Sequence, residues 1–97
     1  MPDGLFHVRQ YRPNYFSGFE NEVVRDVPWD KILEVPWMEN FRHEGFDRFT
    51  VEKYGTEWII QAHYRDGAHW VAGFAIETTH PFAENWRYKK EDPADGE

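Results

Sequence analysis

The chain has 97 residues, no cysteine, and 18 acidic against 11 basic side chains, for a formal net charge of −7. A domain of that size buries enough apolar surface to fold without covalent staples. Without cysteine it has no disulfide framework, thiolate metal site or cysteine nucleophile, and its acidity argues against a nucleic-acid partner, which selects a face rich in Lys and Arg.

From the N-terminus, residues 1–8 lack the basic-then-apolar build of a signal peptide, and the apolar runs are far too short for a membrane span. A cytoplasmic protein with no membrane contact is the expectation. Leu5 to Tyr11 alternate loosely and predict a first strand. Arg12-Pro13-Asn14 is turn chemistry, and a second strand is predicted from about Phe16 to Arg25, with Gly18 marking a bulge or a close backbone approach. The period then changes. Trp29, Ile32, Leu33, Pro36 and Trp37 share one helical face, which predicts a two-turn helix from Pro28 to about Glu34. Pro36 ends that helix and opens a second helical turn through Phe41, with Gly45 at its close.

Phe46 to Glu52 predicts a third strand, and Tyr54-Gly55 turns it into a hairpin from Glu57 to Glu77. Asp66-Gly67 between two apolar runs is a strong hairpin signal, because Gly takes a positive φ without a Cβ clash. A three-residue loop, Arg65-Asp66-Gly67, pairs Tyr64 with Ala68 and His63 with His69. This register gathers Trp58, Ile60, Ala62, Tyr64, Ala68, Trp70, Ala72, Phe74 and Ile76 on one nearly apolar face. Glu57, Ile59, Gln61, His63, His69, Val71, Gly73, Ala75 and Glu77 fall on the other. A two-residue loop mixes both faces, so burial selects the longer loop. Thr78 to Pro81 breaks the last strand, and Phe82, Trp86 and Tyr88 are placed to anchor a return segment.

The expected fold class is α+β: an antiparallel sheet of about five strands, ordered β-β-α-β-β-β, with one short helix packed on one face. Residues 1–88 are expected to form a single domain and residues 89–97 a charged, flexible tail. The helical stripe of Trp29, Ile32, Leu33 and Trp37 is the expected cover for the Trp58-to-Ile76 face.

Chemical signatures are sparse. Ser17 is the one serine, and its flanks do not form a nucleophile elbow. The glycines form no phosphate-cradling loop, and His43-Glu44 lacks the second histidine of a helical zinc motif. No catalytic, cofactor-binding or metal-ligating residue is therefore assigned. His63 and His69 oppose each other across the hairpin and bind a metal only if a third ligand converges on them. The acidic run Glu20, Glu22, Asp26, Asp30 and Glu34 is interrupted by Arg25 and Lys31, unlike the continuous charge of a DNA mimic. Aromatic residues make up 19% of the chain, with five Trp. They either fill a small core in place of aliphatics or lie at an interface.

Gly18-Phe19-Glu20, Val27-Pro-Trp-Asp-Lys-Ile-Leu-Glu-Val-Pro36, Phe46-Asp-Arg-Phe49 and Asp66-Gly-Ala-His-Trp-Val-Ala-Gly-Phe74 together resemble small phage and prophage accessory proteins. Those pair a short leucine-containing helix with a closing strand of aromatic-Val-x-Gly-aromatic type. The resemblance spans most of residues 5–77 and carries over no functional residues. It implies a phage-encoded protein that acts in the host cytoplasm by binding a host or phage protein. The expected function is thus a non-enzymatic protein–protein interaction module. The surface expected to carry it is Ile59, Gln61, His63, His69 and Val71, apolar and polar groups for which the register provides no cover. The alternatives are a small metal-binding domain or enzyme using His63 and His69, and a homodimer that buries its aromatic excess between subunits.

Overall fold

The computed structural model describes residues 3–12, 15–19 and 22–86. The elements are β1 (Leu5–Arg9), β2 (Val23–Pro28), a 3-10 helix (Trp29–Glu34), α1 (Pro36–His43), β3 (Arg48–Tyr54), β4 (Glu57–His63), β5 (His69–Glu77) and a last 3-10 turn (Ala83–Asn85). The strands form one antiparallel sheet in the order β2-β1-β5-β4-β3. This is the expected α+β architecture, with the helical segment on one face of the sheet. The charged tail and Tyr88 lie outside the described residues, and no described helix is long and apolar enough to cross a membrane.

The second strand starts later than expected, at Val23 rather than Phe16. Residues 16–19 turn instead, because fully buried Gln10 holds them there. Its Oε1 accepts the Phe16 N–H at 3.0 Å, and its Nε2 donates to the Phe19 carbonyl at 3.3 Å. Phe16 then meets Phe41 of α1 edge to face at 4.9 Å. Gly18 (φ +94°) lies in that turn and not in a strand. The bulge falls at Arg25-Asp26: Phe6 pairs with Val27 and Val8 with Val24, so two residues of β2 oppose His7 alone. Asp26 takes φ 59°, a left-handed conformation that Asp tolerates better than most side chains.

Between Pro28 and Val35, both extended, the helical stripe winds as 3-10 rather than α. Six residues are too few for α geometry to repay its orphaned end groups, and i→i+3 bonding leaves fewer of them. Pro36 then opens α1 at its first position, where a missing N–H costs nothing. At the other end Gly45 (φ +103°) donates to the Arg42 carbonyl at 3.1 Å, and Phe46 N–H reaches the Phe41 carbonyl at 3.2 Å. The Phe41 and Phe46 rings meet at 5.4 Å, completing a Schellman stop with its apolar contact. Through these ends α1 lays Trp37, Met38 and Phe41 on the sheet, all fully buried with Ile32, Phe6, Val8 and Ile60. Each large side chain so buried stabilises the fold by roughly 2–3 kcal/mol.

The hairpin register holds at its tip and fails further in. Tyr64 N–H donates to the Ala68 carbonyl at 2.8 Å, Gly67 has φ +101°, and His63 pairs with His69, Ala62 with Trp70 and Gln61 with Val71, as the three-residue loop requires. Then Ile60 pairs with Gly73, leaving Ala72 as an extra residue in β5. Each β5 residue beyond it changes face. Gly73 and Ala75, expected on the outer face, turn to the helix; Phe74 and Ile76, expected in the main core, turn away from it.

Two contacts across the fold account for this bulge. The Trp37 indole N–H donates to the Ala72 carbonyl at 3.2 Å in the buried interior. At Gly73 the β1 backbone comes so near that a Cβ would lie 2.5 Å from the Arg9 carbonyl oxygen. Without the bulge, Phe74 would have to share the inner face with Trp37. Trp70 keeps its inner face but lies near the hairpin tip, beyond full cover, and is 53% exposed.

Candidate functional site

The face of the sheet opposite α1 has two parts. The first is covered by the chain's own C-terminal segment. Ile76, Ala83 and Trp86 form a second buried cluster there, with Val23 and Phe74 against it. Arg9 is its polar centre. The guanidinium lies between the Phe74 ring (5.0 Å) and the Trp86 ring (4.9 Å), with Glu57 Oε1 4.0 Å from its Nη2. Glu57 also accepts the Trp86 indole N–H on Oε2 at 3.1 Å, and the Trp86 carbonyl accepts from Arg25 Nη2 at 3.3 Å. The desolvated stacking of Arg9 stabilises the segment in the range of about 1–2 kcal/mol per ring. Beside this clasp, Arg9, Tyr11, Tyr54, Glu57 and Phe74 line an open cleft.

The second part carries the residues singled out by sequence. Ile59 and Gln61 of β4 and Val71 of β5 are half-buried, as is His63, while His69 is exposed. Gln61 opposes Val71 and His63 opposes His69, both as expected. Ile59 faces Phe74 instead of Gly73, a consequence of the bulge. The five residues therefore share one face of two adjacent strands, and Phe74 adds to it a large apolar group that the uninterrupted register had placed in the core.

Neighbouring β3 supplies the next column of this face. Thr50 opposes Gln61, Arg48 opposes His63, and Glu52 opposes Ile59. Thr50 Oγ1 lies 2.9 Å from His63 Nε2, which ties down one ring nitrogen. The two imidazoles are 5.7 Å apart between centroids. Loss of hydration, then the charge of Arg48 and the proximity of His69, hold the His63 pKa below the usual 6.5, with Glu52 opposing them. The ring is thus predominantly neutral at neutral pH and bonds as a polar, uncharged group. Among the described residues, no group of three or more His, Asp or Glu side chains is placed to hold a metal ion.

Thr50 and Arg9 went unrecognised in the sequence; of the aromatics expected to anchor the return segment, Trp86 does so and Phe82 is exposed. Alternation from Leu5 to Tyr11 does put His7 and Arg9 on one strand face. Their partners, however, come from residues 19 to 77 positions away, and no local spacing announces them. Comparisons with protein-family models, with curated proteins and with solved structures gave no match.

Proposed function

We propose that this domain is a non-enzymatic protein-binding module that engages its partner through the outer face of β4 and β5. The observation that carries this reading is the division of that face. The C-terminal segment covers Ile76 and Phe74, while Ile59, Gln61, His63, His69 and Val71 lie past its reach on adjacent strands. A shallow surface that mixes aliphatic, amide and imidazole groups suits a protein partner better than a small molecule, which needs a concave site. The resemblance to small phage and prophage accessory proteins suggests the partner's class, a host or phage protein.

The test is an affinity capture with tagged wild type, an Ile59→Lys/Val71→Lys variant and a Phe82→Ser control, which alters an exposed aromatic elsewhere. A partner held by the wild type and the control, but lost by the double variant with its far-ultraviolet circular dichroism unchanged, is the expected result. Equal capture of that partner by the double variant refutes the assignment of the face.

A further inference from the structure

The two edges of the sheet are not alike. β2 is guarded, with a bulge at Arg25-Asp26 and Pro28 at its end. β3 pairs with β4 from Arg48 to Tyr54 with no irregularity, and no backbone hydrogen bond from another described residue reaches its outer side. Tyr54 and Glu57 close a tight two-residue turn, so they form its hydrogen-bonded pair. Alternation from that pair leaves the N–H and C=O groups of Phe49, Val51 and Lys53 pointing outward. Such an edge is a template for another strand.

The charges along this edge select the strand. Asp47, Arg48, Glu52 and Lys53 are all exposed, and none is in a salt bridge among the described residues. They flank Thr50 in the order acid, base, Thr, acid, base, a pattern that is complementary to itself when the strand is reversed. We infer that β3 pairs antiparallel with β3 of a second copy of this chain, with Thr50 facing Thr50 on the two-fold axis. Arg48 then opposes Glu52 of the other copy, and Asp47 opposes Lys53, each pair occurring twice by symmetry. Cross-strand Cβ atoms are about 4.5–5.5 Å apart, within reach of ion pairs. On the inner face Phe49 meets Val51.

Neighbouring registers fare worse. Centring on Val51 sets Arg48 against Tyr54 and Lys53 against Phe49, with no acid opposite a base. Centring on Glu52 sets two carboxylates face to face. The Thr50-centred register alone matches every charge, and it joins two five-stranded sheets into one continuous sheet. The outer faces of the two copies then adjoin, so two Ile59-to-Val71 surfaces lie side by side and favour a bivalent partner. The pairing itself is independent of that face: edge variants keep Ile59 and Val71, so losing the dimer while keeping partner capture separates the two readings.

Sedimentation of the full chain at low salt, where ion pairs are least screened, tests the inference. Wild type is expected at twice the 11.7 kDa chain mass. Arg48→Glu and Glu52→Arg each set like charges in opposition twice and should weaken the dimer roughly tenfold or more. The double variant Arg48→Glu/Glu52→Arg restores it, and an equimolar mixture of the two single variants forms heterodimers, which also proves both are folded. Because the chain has no cysteine, oxidised Thr50→Cys should give a covalent dimer and Val51→Cys should not. A strictly monomeric wild type, single variants that dimerise as tightly as wild type, or cross-linking through Val51→Cys in place of Thr50→Cys overturns the inference.

Discussion

Gly73→Ala tests the packing logic of the whole sheet, because it adds one methyl group where β5 passes β1. The new Cβ would lie 2.5 Å from the Arg9 carbonyl oxygen, 3.5 Å from its carbon and 3.6 Å from Trp37 Nε1. Real Cβ atoms essentially never come within 3.0 Å of such an atom, so the strands must separate by at least about half an ångström. The obstacle is backbone and cannot rotate away. Separation strains the ladder that pairs Arg9 with Phe74 and Val8 with Ala75, and it disturbs the Trp37 bond to Ala72. Overpacking of this kind costs about 1–3 kcal/mol. Replacing Gly returns about 0.4–1 kcal/mol by restricting the unfolded chain. With a backbone obstacle the cost falls at the upper end of that range, so the net loss is roughly 2 kcal/mol, or a fall in Tm of about 8–16 °C for a domain of this size. Thermal melting followed by circular dichroism measures it. A Gly73→Ala protein that melts within about 2 °C of wild type would refute the close approach and the bulge built on it.

Trp37→Phe keeps an aromatic ring on the sheet but leaves the Ala72 carbonyl without its indole donor. We expect a loss of roughly 2–4 kcal/mol in urea unfolding from the orphaned acceptor and the smaller ring, and a loss below about 0.5 kcal/mol would show that the bulge stands without that bond. Stability should also fall on mild acidification. Burial, then the charge of Arg25, holds the His7 pKa below 6.5 against the opposing Asp26, and its Nδ1 accepts the Asp26 N–H at 3.3 Å, so the folded state favours the neutral ring. The unfolded chain protonates first, so this contribution is complete above pH 6.5 and is lost as the pH falls below that value toward the folded-state pKa. His63, shifted the same way, adds to the slope. Urea midpoints should therefore drop between about pH 7.5 and about pH 5.5, less steeply in His7→Gln; a midpoint that rises over that interval contradicts the sign.

Much of the fold was legible because its determinants are local. Pro36 restricts Val35 and opens α1, Gly45 closes it, and Gly67 sets the three-residue turn that pairs His63 with His69. The outer-face residues between that turn and the Ala72 bulge followed from it by alternation alone, which is why Gln61 still opposes Val71. Alternation misled from Phe16 to Phe19, where a buried glutamine six to nine positions away turns the chain out of the sheet. Strand period carries no sign of such a side chain.

Chain chemistry by itself determined the α+β class, the helix ends, the hairpin tip, and the self-complementary charges from Asp47 to Lys53. Tertiary structure alone decided which face Phe74 and Ile76 occupy, since the bulge at Ala72 depends on an indole from α1 and a carbonyl from β1. It also decided that β3 is the open edge and that Trp86 covers part of the outer face. The difference is one of range. Turns and caps are set by the φ preferences and hydrogen bonds of a few adjacent residues, whereas a bulge, an edge and a clasp exist only once distant strands and helices are brought into contact.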